Sequence, residues 1–192
     1  MSGRPRGRLA GLLVMAVLLS LLSINMVWVL RNCEELKPVG SGRVAPAIDL
    51  PALGGGREGL ADHRGKVVLI SFWATWCGPC IKEMPMLARL RRANARRGFE
   101  VLAINVEGDP QKVRQVQASH EAARQLTMLL DPDGEAARRY GVRGLPYLVL
   151  VDRDGKVAQL LIGGGGEERL EAAVERALKG EASPPDHGHP SR

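Results

Sequence analysis

The chain has 192 residues, 45% of them hydrophobic, with three cysteines and a net charge of +6. That length suits one domain plus extras, and three cysteines are too few for a disulfide-stapled scaffold. The positive balance does not point to nucleic acid. Arg4, Arg6 and Arg8 precede an apolar span, and Arg89, Arg91, Arg92, Arg96 and Arg97 share one helix without interleaved aromatics, the pattern of a solvated face.

Residues 1–8 read as a cytoplasmic N-terminus and residues 9–30 as a transmembrane anchor. Leu9 to Leu30 is 22 residues without a charge, long enough to span a hydrocarbon core of roughly 30 Å. The span ends in Trp28-Val29-Leu30-Arg31-Asn32 rather than a small-x-small cleavage site, so it reads as an uncleaved signal-anchor. The arginines before it, and Glu34 and Glu35 offsetting Arg31 and Lys37 after it, place the remainder on the far side of the membrane. That side is extracytoplasmic, where disulfides form and persist. Residues 31–46, with Pro38, Gly40, Gly42 and Pro46, form a linker. Its Cys33 reads as a free thiol or an occasional intermolecular disulfide, since Arg31 and Asn32 do not suit lipid attachment.

Residues 47–180 form the globular region. Strands are predicted at Val67–Phe72, Val101–Val106, Thr127–Leu130, Tyr147–Val151 and Val157–Ile162. Helices alternate with them. The first runs from about Pro79 to Arg97, and the second opens at Asp109-Pro110, an N-cap followed by proline at the first helical position, and runs through Val113 and Val116. A short helix covers Glu135–Tyr140, and the last spans Glu167–Lys179, stopped by Gly180. Only Asp152-Arg153-Asp154-Gly155 separates the last two strands, so they are antiparallel neighbours. The pattern is α/β, a central mixed sheet flanked by helices, in the order of a thioredoxin fold with a central insertion. Residues 181–192 lack periodicity and read as a disordered tail.

The chemistry sits in Phe72-Trp73-Ala74-Thr75-Trp76-Cys77-Gly78-Pro79-Cys80. A strand delivers a Cys-x-x-Cys pair onto the first turn of a helix, whose unpaired N–H groups and macrodipole favour a thiolate. Cys77 at the helix start is expected to be the exposed attacking sulfur, and Cys80 to resolve the mixed disulfide. Pro79 stiffens the ring, Gly78 leaves room for an approaching chain, and Trp76 offers it a flat apolar surface. A zinc half-site is the competing structural reading, but no second Cys or His pair lies nearby; Cys33 belongs to the linker and His63 stands alone. No metal is expected.

The motif, with Glu83, Pro85 and Gly144-Leu145-Pro146 after it, resembles the membrane-anchored TlpA/ResA-like branch of the thioredoxin superfamily, over roughly residues 44–180. The resemblance implies a thiol-disulfide oxidoreductase of the bacterial cytoplasmic membrane with a periplasmic domain and a redox-active Cys77–Cys80 disulfide. It implies a cis-proline at Pro146 that, with Leu145, presents backbone to a substrate peptide; the residues alone also allow a trans strand-entry proline. Pro85 matches the proline that kinks the active-site helix.

Glu83 matches an acidic residue assisting the dithiol's proton transfers, although by itself it reads equally as a surface glutamate paired with a basic neighbour. One departure stands out: thioredoxins proper carry a buried aspartate where Ser71 lies, and a hydroxyl is not that proton acceptor. No cofactor is implied. Partners are cysteine-containing exported proteins, such as apocytochromes c or oxidase copper-site subunits, and a transmembrane thiol electron donor. Gly78-Pro79 favours the reducing direction. A disulfide oxidase or isomerase using the same residues is the first alternative, and a redox-inert module holding Cu(I) between the cysteines the second.

Overall fold

The computed structural model describes residues 6–32, 39–163 and 166–181. Cys33, the linker as far as residue 38 and the tail from residue 182 lie outside them. Two units result, Met1–Lys37 and Pro38–Arg192. The first is one helix, α1, Arg6–Asn32. Among the described residues no helix is long and apolar enough to cross a membrane. The transmembrane expectation therefore rests on the sequence, whose charge-free run Leu9–Leu30 lies within α1.

The second unit opens with a small antiparallel hairpin, β1 (Asp49–Pro51) and β2 (Arg57–Gly59), that sequence periodicity did not reveal. Three-residue strands are too short to show a period of two. The main sheet follows: β3 (Val67–Trp73), β4 (Phe99–Asn105), β5 (Thr127–Leu130), β6 (Tyr147–Val151) and β7 (Val157–Ile162), in the order β5-β4-β3-β6-β7. β3 pairs parallel with β4 and antiparallel with β6. Its seven residues are all buried, as a central strand covered on both faces requires.

One face takes Val67, Leu69 and Trp73 and packs against α2 (Gly78–Asn94) and α6 (Glu167–Lys179). The other takes Val68, Ile70 and Phe72 and packs against Tyr140 and Tyr147. The insertion is α3 (Pro110–Ser119) and α4 (Glu121–Arg124), followed after β5 by α5 (Glu135–Arg139). Asp109 caps α3 as expected, accepting from the N–H groups of Gln111 and Lys112 at 2.9 and 3.3 Å.

One expectation needs amendment. Residues 41–45 do not hang free in the linker: Gly42 N–H donates to Val157 at 2.7 Å and Ala45 N–H to Gly155 at 2.9 Å. The arginine stripe of α2 and the turn after it is exposed except at half-buried Arg91, as a solvated face should be, but several of its members are paired. Arg97 pairs with Glu175 at 2.7 Å, Arg89 with Glu167 and Glu171, and Arg91 with Glu100. Periodicity locates a charged face, but the acids that meet it come from α6 and β4, remote in sequence.

Candidate active site

The dithiol and the loops around it gather at one end of the sheet. Trp73 lies opposite Asn105 of β4, and Phe72 opposite Tyr147 of β6. The C-terminal ends of β3 and β4 therefore meet the start of β6, bringing residues 74–77, 105–108 and 143–146 together. This is where parallel strands of an α/β sheet deliver loops for binding and catalysis. A cavity of about 400 Å³ near His63, Lys66, Val151 and Asp152 lies at the opposite end, and a larger one of about 530 Å³ beside Leu53, Arg114 and Met128 is not lined by the dithiol either.

Cys77 is the N-cap of α2, with Gly78 as the first helical residue. Its N–H donates to Ala74 at 3.0 Å, and its Sγ accepts from the Cys80 N–H at 3.3 Å. The sulfur thus occupies the place a Ser or Asp oxygen takes in an ordinary cap, where partial positive charge is concentrated. Cys77 and Cys80 form a disulfide with their Cα atoms 5.3 Å apart. In this oxidised state Cys77 is only 4% exposed, against the expectation of an exposed sulfur. Its Sγ lies against the first turn of the helix, bonded to Cys80 and accepting the Cys80 N–H. The exposed part of the site is its rim: Trp76 is 72% exposed, and Gly78 and Pro79 are also open. A Cβ built on Gly78 meets nothing within 4 Å, so the backbone there is approachable.

Glu83 lies one turn after Cys80, on the same side of α2. It is half-buried, and burial pushes its carboxyl above the usual carboxylate range. Its Oε2 is buried with no hydrogen-bond partner among the described residues, as is the indole Nε1 of Trp73. Glu83 borders a cavity of about 200 Å³ with Lys82, Met86, Leu148, Leu161 and Glu167. Ser71, buried and opposite Leu148, sits on the same face of β3. Across the sheet end, the Leu145–Pro146 peptide is cis. Pro146 is buried, and its carbonyl accepts from the Gly163 N–H at 3.1 Å.

Sequence reasoning missed Glu107. Its Oε2 accepts from the Thr75 N–H at 2.6 Å, and Lys112 Nζ lies 3.4 Å from its Oε1. Burial alone would raise this carboxyl, but hydrogen bonds from Thr75 and Lys112 outweigh it and hold it below its ordinary value. The available signal was positional, an acidic residue just past the end of the strand paired with the one that carries the dithiol.

A cysteine pair closed across the first turn of a helix, at the end of a five-stranded mixed sheet and beside a cis-proline loop, defines a thiol-disulfide oxidoreductase with a thioredoxin-like fold. Residues 41–160 match the AhpC/TSA family, and the chain belongs to it. It is 34% identical to the thiol-disulfide oxidoreductase ResA of Geobacillus thermodenitrificans, over 73% of this chain and 80% of that one. It is 32% identical to the thioredoxin-like protein YneN of Bacillus subtilis, over 77% and 88%. Among solved structures, a Chlorobium tepidum chain assigned as a thiol:disulfide interchange protein DsbE superposes with a TM-score of 0.68 at 34% identity, covering 73% of this chain and 99% of that one.

Proposed function

We propose that this protein is a membrane-anchored disulfide reductase acting outside the cytoplasm on cysteine pairs of exported proteins, as in cytochrome c or oxidase maturation. The closed Cys77–Cys80 ring under an open rim of Trp76, Gly78 and Pro79 carries the reading. In the reduced protein the Cys77 thiolate attacks a client disulfide, forming a mixed disulfide and releasing one client sulfur. Cys80 then attacks Cys77 Sγ, the client leaves as a dithiol, and the ring closes as two electrons and two protons pass to the client. The cis Leu145–Pro146 peptide would present the Leu145 backbone to the client, the Pro146 carbonyl being held by the Gly163 N–H, and Glu83 would accept the Cys80 proton as that sulfur becomes a nucleophile. A transmembrane thiol donor would reopen the ring, with residues 9–30 as the anchor.

The reducing direction draws support from Gly78-Pro79 within the ring, and likeness to proteins named thiol-disulfide oxidoreductase supports the exchange chemistry itself. A Cys80→Ser variant expressed in the native membrane should accumulate mixed disulfides on Cys77 with exported cysteine-containing proteins. Recovery of no partner would sink thiol exchange as its cellular role. A reduction potential near the oxidising end of the range, about −120 mV rather than about −270 mV, would transfer the assignment to a disulfide oxidase.

A further inference from the structure

The loop carrying Trp76 and Cys77 is held by a residue that comes from another strand. β4 ends at Asn105, which is fully buried and lies opposite Trp73. Val106 N–H donates to the Trp73 carbonyl at 3.0 Å, extending the pairing past the strand end. The Asn105 side-chain oxygen then accepts from the N–H groups of both Glu107 and Gly108, at 3.1 and 3.0 Å. Gly108 has φ of +66°, and a Cβ there would stand 2.2 Å from the Pro132 Cα, so the turn is locked against the start of the next loop. These contacts aim the Glu107 carboxylate at the Thr75 N–H, two residues before the reactive sulfur.

We propose that Glu107 is a positioning residue of the dithiol reaction: it clamps the Thr75–Cys77 loop and sets a fixed anion beside it. A carboxylate accepting a backbone N–H makes a charge-assisted bond, about twice as strong as a neutral one. Only 15% of the Glu107 side chain is exposed, so water competes weakly for it. Lys112 supports it from α3, which makes the inserted helix part of the active-site frame. The fixed anion acts in one direction, disfavouring the Cys77 thiolate and moderating the effect of the helix start. The charged groups of the segments that meet at this end include Glu107 and Lys112 from the β4–α3 segment, Arg143 from the loop before the cis-proline, and Glu83 and Lys82 from α2. The inference requires dithiol exchange but not a particular client or direction.

The test is the pH profile of iodoacetamide alkylation of Cys77 in the reduced protein, read together with insulin-disulfide turnover. Glu107→Gln removes the charge and leaves an amide oxygen for the Thr75 N–H. Its alkylation should quicken roughly threefold below the titration midpoint, the fold-change of a half-unit shift in a thiol, with thermal stability held. Glu107→Ala removes the acceptor as well and should lose about tenfold in turnover, because the loop is no longer held in attacking geometry. A Glu107→Gln profile superimposable on the parent overturns the proposal, whether or not Glu107→Ala folds. That result would leave the reductase reading standing, since no client enters the measurement.

Discussion

The two faces of β3 are equally buried and chemically unlike. On the face of Val68, Ile70 and Phe72, the aromatic cluster uses its polar tips. Tyr140 donates its hydroxyl to the Pro46 carbonyl at 2.7 Å, and Tyr147 donates to the Tyr140 carbonyl at 3.1 Å. On the face of Leu69, Ser71 and Trp73, the Trp73 Nε1 and Glu83 Oε2 are buried without a partner among the described residues. Buried polar groups in folded proteins are nearly always paired, and exceptions concentrate where chemistry or stored strain needs them. The satisfied face is scaffold. The unsatisfied face is the one that carries the dithiol.

The largest effect that would break this contrast is on the scaffold side. Phe72 is fully buried, with its ring centroid 5.3 Å from that of Tyr140 and 6.1 Å from that of Tyr147. Phe72→Ala should cost about 3–5 kcal/mol in denaturant unfolding, the toll of a large cavity in a packed core. The alkylation profile of Cys77 should not move in the fraction that remains folded. A loss below about 1 kcal/mol would mean the face is loosely packed and not the scaffold described.

Tyr140→Phe sharpens the comparison with a smaller change. It keeps the ring but leaves the Pro46 carbonyl without its donor, at a cost of about 1–2 kcal/mol. Because Pro46 precedes β1, amide exchange at residues 47–50 should quicken more than exchange in β3. Equal acceleration in both segments would show that the hydroxyl does not fasten the N-terminal hairpin.

How far the sequence could be read follows the same division. β3 was legible because a central strand is a continuous apolar run, and α3 because Asp109-Pro110 is a local start signal. The β6–β7 turn was legible because Asp152 Oδ1 caps the N–H groups of Asp154 and Lys156 within the turn itself. Cys77 and Cys80 were legible by spacing. Contacts made across the fold were not. Glu107 reaches Thr75 over 32 residues of chain, and Arg97 reaches Glu175 over 78. No local period or propensity encodes such a meeting. The low exposure of Cys77 also escaped, because it depends on how the loop before α2 packs into the fold and not on the spacing of the two cysteines.

Glu83→Gln gives the smallest expected effect and the one that bears most directly on the unsatisfied face. Burial raises this carboxyl above the 4.5 of an unperturbed glutamate. Near pH 3, well below the unperturbed value, it is protonated in both folded and unfolded chains, and burial costs nothing in charge. As pH rises through the unfolded and then the folded value, the folded protein must carry a partly desolvated carboxylate, so wild-type stability is lost over that interval. Glutamine never carries the charge. The variant should therefore melt about 2 °C higher near pH 7, a small gain because the side chain is only half-buried, and no higher near pH 3. A gain of equal size at both pH values would assign the effect to packing instead of ionisation. If Glu83 also takes the Cys80 proton, the same substitution should flatten the pH dependence of dithiol reactivity. A stabilised variant with an unchanged profile would confine Glu83 to an electrostatic cost without a catalytic return.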